Sequence, residues 1–164
     1  YALSATGWRD HSRGPRGRKS KDPWGGHVIG GMQFPSGKKF IFSRYWRPDG
    51  HVTMSGGIYI DEAGQAHDIE VVVAPELRQL VLTDEELPLS FVWDTGAVEL
   101  TLTTTASIWI PRERKHVVGR DVFGELNDMY VLNWGPVVWG NELAHCYLER
   151  SAHLNALPES IAVN

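Results

Sequence analysis

Two acidic residues, Asp10 and Glu142, stand in stretches rich in large aromatic rings. Trp8 and Trp24 accompany the first, and Trp134 and Trp139 the second. A carboxyl group whose pKa is raised by apolar surroundings can give a proton to a weak base such as an alkene carbon. Aromatic faces can then stabilise the developing cation, as they do an ammonium group. Together with Trp46 and Trp109, these residues supply the materials for hydration, isomerisation or cyclisation of a double bond. The same residues suit a cavity that only holds a greasy ligand.

Other chemistries find less support. The single cysteine, Cys146, excludes an internal disulfide and any multi-cysteine zinc site, and reads as a buried small side chain. No two histidines have His-x-x-x-His or His-x-His spacing, so no metal site is expected, and no other cofactor. The nucleophile elbow Gly-x-Ser-x-Gly is missing. Arg9, Arg13, Arg16, Arg18, Lys19 and Lys21 crowd one stretch of a chain whose formal net charge is −4. Asp10 and Asp22 dilute that run, which reads as a solvated loop rather than a nucleic-acid contact. No apolar run approaches the roughly 18 residues of a membrane helix, so no transmembrane segment is expected. The start, Tyr1 rather than Met, reads as trimmed, and a cytoplasmic location is favoured.

The elements that must position these residues read as strands. Val98, Leu100, Leu102, Thr104, Ala106, Ile108 and Ile110 alternate with mostly hydroxylic residues, which predicts one long strand over Val98 to Ile110. Further strands are expected at Lys38 to Trp46, His51 to Ile60, Ala66 to Val73 and Leu87 to Trp93. The turn residues between them are Pro35-Ser36-Gly37, Arg47-Pro48-Asp49-Gly50, Asp61-Glu62-Ala63-Gly64 and Asp94-Thr95-Gly96. Short strands joined by tight turns favour a meander, and closing it removes exposed edges. The Gly25-Gly26, Gly30-Gly31 and Gly56-Gly57 pairs mark bends or close backbone approach. Helical patterning is poor. Pro75 to Glu86 could hold a turn or two, and Glu159 to Val163 a frayed tail.

Alternation along a strand decides which side chains share a face. Asp10 falls with Trp8 and Ser12, and His11 with the arginines Arg9 and Arg13, so the Asp10 face suits an interior better. Glu142 falls with Ala144, Cys146 and Leu148, and His145 with Leu143, Tyr147 and Glu149. If the small apolar face points inward, Glu142 is an interior carboxylate and His145 is not. Structural alternatives stand beside this: Asp10 paired with Arg13 or Arg16, and Glu142 paired with Arg9 or Arg44.

The stretch Gly7-Trp8-Arg9-Asp10-His11-Ser12-Arg13-Gly14-Pro15-Arg16 resembles the RDHSWGPR signature of the tandem-lipocalin family of carotenoid hydratases and their uncharacterised bacterial relatives. Trp24-Gly25-Gly26-His27, Pro48-Asp49-Gly50, Gly56-Gly57 and the closing Asn141 to Tyr147 continue in that family's order. Arg13 stands where the family pattern has Trp.

The resemblance implies an all-β fold, a lipocalin-like (calycin-type) up-and-down antiparallel barrel of about eight to nine strands. It also implies that residues 1–164 form the C-terminal barrel of a two-barrel protein, beginning its first strand at the motif. The partners expected are a hydrophobic small molecule, isoprenoid or polyketide in type, and a preceding N-terminal barrel domain. Asp10 and Glu142 are the candidate catalytic acids. Trp8, His11, Trp24, Trp46, Trp109, Trp134, His145 and Tyr147 are the candidate ligand contacts. Ligand binding, carboxyl-catalysed chemistry and a filled barrel that docks a partner domain are the three functions this reading leaves open.

Overall fold

The computed structural model describes residues 25–77, 86–118 and 121–153, with the backbone alone at 109–118, 121–129 and 153. Among these residues there are nine strands and no helix. They are β1 (Gly26–Gln33), β2 (Lys39–Trp46), β3 (Val52–Ile60), β4 (Ala66–Val73), β5 (Glu86–Trp93), β6 (Gly96–Thr103), β7 (Ala106–Val118), β8 (Asp121–Trp139) and β9 (Glu142–His153). The turns fall where glycine permits them: Gly37, Gly50, Gly64 and Gly140 all have positive φ. The expected signature strand at residues 7–16 lies outside the described residues. So do most of the turn expected within Pro75 to Glu86 and all of the tail at Glu159 to Val163.

All nine strands form one antiparallel sheet in the order β6-β5-β4-β3-β2-β1-β9-β8-β7. Each strand pairs with its sequence neighbours except across β6/β7, and β1 pairs with β9. The result is an up-and-down sheet curled into a lipocalin-like barrel, with its seam between β6 and β7.

The seam is where the single strand expected over Val98 to Ile110 divides. Up to Thr103 the chain pairs with β5, and from Ala106 it pairs with β8. Val98, Leu100, Leu102 and Thr104 are buried, but Ala106 and Ile108 are exposed, so the alternation continues while its faces exchange. The end of β6 leans on β8. Thr105 N–H donates to the Trp134 carbonyl at 2.8 Å. A Cβ on Gly135 would lie 1.9 Å from the Thr103 carbonyl oxygen, so this contact admits only glycine.

The inward faces build one core. Phe34, Phe40, Phe42 and Phe91 are at most 1% exposed, joined by Met32, Leu87, Leu89, Leu102 and Leu148. Burying each such side chain is worth about 1.5–3 kcal/mol. Gly30 makes room for them: a Cβ there would meet Leu148 Cδ2 at 2.4 Å and Phe42 Cζ at 2.7 Å. Towards the ends of β3, β4, β8 and β9 that carry the tight turns, the rings fill the barrel themselves. Phe40 stacks on Tyr59 and Phe91, with centroids 4.7 and 5.0 Å apart. Trp93 and Trp139 close over them.

Candidate functional site

The alternation that places Ala144, Cys146 and Leu148 in the core continues to Arg150, which is 1% exposed. Arg150 Nε donates to Asn133 Oδ1 at 2.8 Å, and Asn133 Nδ2 donates to Ser107 Oγ at 2.8 Å. Asn133 is itself fully buried. It faces inward because β8 alternates Val131, Asn133, Gly135 and Val137 towards the core. A buried guanidinium costs several kcal/mol to desolvate and is retained only where its hydrogen bonds are met. Thr104, at the seam, is also buried, and its hydroxyl has no hydrogen-bond partner among the described residues. An unmet buried polar group costs about 1–3 kcal/mol. Polar groups from β6/β7, β8 and β9 thus converge within an otherwise apolar interior, the composition typical of a small-molecule site.

Across β1 the same cross-strand row runs from Val131 through Arg150 and Val28 to Arg44 and Ser55. Arg44 shares the inward face of β2 with Phe40, Phe42 and Trp46. Its Nη1 donates to the Val71 carbonyl at 3.1 Å and the Val72 carbonyl at 2.9 Å. Ser55 Oγ also donates to the Val71 carbonyl, at 2.9 Å. These bonds replace a ladder that has ended, because β3 and β4 pair only from Gly57↔Ile69 to Ile60↔Ala66. Beyond that point β4 shifts register against β5.

At the filled end, Glu142 occupies the inward register of β9 but lies at its first residue, on the rim. Lys38 Nζ approaches Glu142 Oε2 at 2.5 Å and Glu62 Oε1 at 3.4 Å. The Ser36 backbone N–H and hydroxyl donate to Glu142 at 2.7 and 2.9 Å. Lys38 Nζ also sits 4.3 Å from the Trp139 ring centroid. The Lys38 hydrogen bond, with those from Ser36, holds the Glu142 carboxyl below the usual range, and Glu142 in turn raises Lys38. The partner of Glu142 is therefore Lys38, while Arg44 bonds to main-chain carbonyls. Nearby, His67 lies 3.3 Å from Asp61 and 3.4 Å from Asp94, with its ring stacked on Tyr59. Burial raises the Tyr59 phenol, and the Gln65 N–H holds Asp61 low.

The outward face carries a second polar line. Ser151 Oγ is 2.8 Å from His27 Nδ1, and His27 Nε2 is 2.9 Å from Glu149 Oε1. These are the residue types of a nucleophile relay. Ser151, however, is 0% exposed, so its oxygen does not meet a substrate in this arrangement.

Asp10, Trp8, His11 and Trp24 lie outside the described residues. Trp46 is buried on the inward face, its ring against Gly26, where a Cβ would come within 2.6 Å. Trp109 is in register with Val131 in β7, at the end of the Arg150 row. Trp134 and Tyr147 face outward with centroids 5.6 Å apart, and His145 is exposed on that same face. The structure thus brings Trp46 and the backbone of Trp109 to the interior polar region, and Glu142 to the opposite rim. Arg150 and Asn133 were not singled out from sequence, Ser107 and Thr104 entered only as members of the alternating strand, and Arg44 only as a possible partner of Glu142. Extending the β9 alternation past Leu148 by one step points to Arg150. Among the described residues, no group of three His, Cys, Asp or Glu side chains could hold a metal ion.

In comparisons with known proteins the chain matches no family model, no curated protein and no solved structure.

Proposed function

We propose that this domain binds one hydrophobic small molecule, isoprenoid or polyketide in type, inside its barrel, as a member of the tandem-lipocalin hydratase-like family. The observation that carries this reading is the buried Arg150–Asn133–Ser107 chain, with a Thr104 hydroxyl that has no partner among the described residues, in an apolar interior. For stability alone, apolar residues of similar volume are often as good as a buried charge or better. The site lies in the half of the barrel holding Trp46, because the other half is filled by its own rings. Carboxyl-catalysed hydration draws little from Glu142: a carboxyl held low is ionised near neutrality and is a poor proton donor. On that alternative, Asp10 would be the acid.

Tryptophan fluorescence during titration with neutral isoprenoids and fatty-acyl alcohols tests the binding reading, in the wild type, Asp10→Asn and Glu142→Gln. Saturable quenching that survives both substitutions supports a binding cavity, and turnover lost only in Asp10→Asn would convert it to a catalytic one. A folded protein that responds to no compound would refute it.

A second reading draws on the outward face. Ile41 and Ile58 are cross-strand neighbours 50% and 45% exposed, and Val138 and Leu143 are neighbours 59% and 52% exposed. Apolar patches of this kind mark docking surfaces. A preceding barrel domain of the same protein is the partner that the family resemblance offers. Ile41→Lys with Leu143→Lys should abolish co-purification of the two domains expressed separately. Undiminished co-purification would reject this face.

A further inference from the structure

The interior polar groups differ in what they can accept from a ligand, and the split between β3 and β4 shows it most clearly. Ser55 has the inward parity of Gly57 and Tyr59, yet it is exposed. Water therefore reaches the inner face of the barrel at this point. Arg44 stands beside it, on the neighbouring strand of the same row. Two carbonyls fix its Nη1, while its Nε is shielded from solvent and has no hydrogen-bond partner among the described residues. The carbonyls are neutral dipoles and leave the positive charge in place.

We infer that the ligand carries a carboxylate head group and that Arg44 receives it at the split between β3 and β4. The inference rests on the binding reading above and adds the chemical class of the ligand to it. A guanidinium held in place by two neutral acceptors keeps its charge and a fixed orientation, and charge-assisted bonds from such a group to an anionic oxygen are the strong ones. Arg150 lies in the same row on the other side of Val28, about 10 Å away at two strand spacings. Arg150 has contacts beyond Asn133, so Arg44 is the residue that carries the assignment.

The charges also set an orientation. Asp61, Glu62, Asp94 and Glu142 surround the opposite end, with Lys38 among them, and would repel a carboxylate there. A ligand placed with its head at Arg44 keeps that head at the water's edge. Its apolar body would then lie among Val28, Trp46, Val71 and Phe91, all buried.

All-trans-retinoic acid and retinol share an isoprenoid chain and differ in head group, so the pair separates the two ideas. Quenching of tryptophan fluorescence would be followed in the full chain for the wild type, Arg44→Met and Arg44→Lys, with circular dichroism as the folding check. The wild type is expected to bind the acid at least tenfold more tightly than the alcohol. Arg44→Met should bring that ratio near one, and Arg44→Lys should keep part of it. Equal affinity of the wild type for both compounds would overturn the carboxylate assignment and leave the binding reading standing. A preference for the acid that persists in folded Arg44→Met would move the head group away from Arg44. Failure of both compounds to bind would overturn the binding reading and this inference with it. The wild-type comparison needs no variant, so a misfolded Arg44→Met does not remove the test.

Discussion

Replacing Gly135 by alanine probes the contact on which the seam of the barrel depends. A Cβ at this position would stand 1.9 Å from the Thr103 carbonyl oxygen, 2.8 Å from its carbon and 3.0 Å from Leu102 Cδ1. The first two are backbone atoms tied into β6, so relief requires the β6 end and β8 to separate. Thr105 N–H, which donates to the Trp134 carbonyl one residue away, would be pulled with them. In an ordinary strand, glycine to alanine is worth roughly 0.5–1 kcal/mol in favour of the variant. Overpacking of this kind costs about 1–3 kcal/mol, and more where main chain must move. The expected net loss is about 3 kcal/mol, which lowers Tm by about 6–12 °C at 2–4 °C per kcal/mol for a chain of this size. Urea unfolding followed by tryptophan fluorescence measures it, with Gly56→Ala as the control. At Gly56 the only neighbour of the added Cβ among the described residues is the Ile69 carbonyl oxygen at 3.3 Å, so that variant should stay within about 1 kcal/mol of wild type. A Gly135→Ala protein as stable as wild type would mean that Thr103 does not lie on β8, and that the barrel is open along this seam.

Three further outcomes are expected. The Glu142 carboxyl is held below its ordinary 4.5, so the stability it contributes is full above that value and is lost as pH falls through the lower folded value; Glu142→Gln should remove this acid limb from a Tm-against-pH profile, and an unchanged limb would exclude the rim pair as its source. The raised Lys38 acts with the opposite sign, its contribution being full below 10.5 and lost as pH rises through its higher folded value. Burial pushes the Cys146 thiol up to about 12, so a thiol reagent at pH 8 should label the native protein only at the rate of unfolding, and fast labelling without denaturant would contradict the core placement. Asn133→Leu takes a hydrogen bond from a buried guanidinium and should cost about 1.5–3 kcal/mol in urea unfolding, with a near-neutral result showing that Arg150 is satisfied without Asn133.

Sequence alone determined the strand class, the turns and most side-chain faces. Alternation over Val98 to Leu102 and over Ala144 to Leu148 identifies the inward residues, because a period of two is a local property of extended backbone. The same pattern placed Glu142 on the inward face of its strand. The turns at Gly37, Gly50 and Gly64 were legible because positive φ selects glycine. The glycine pairs were legible as close contacts, though not which side chains would fill the space beside Gly30 or Gly57.

Tertiary structure decided what depends on partners distant in sequence. The long alternating run divides at Thr104–Thr105 because its two halves find different neighbours, β5 and β8, at opposite ends of the sheet order. The alternation itself does not mark that exchange, since it runs through residues 98–110 unbroken. Glu142 meets Lys38 and Ser36, more than a hundred positions away, because two hairpin ends arrive at the same rim. The β7–β8 ladder likewise brings Ser107 opposite Asn133, and β9 sets Arg150 beside it, joining three strands in one buried chain. Periodicity fixes the direction in which a side chain points, whereas the group it meets there is fixed only when the sheet curls and closes.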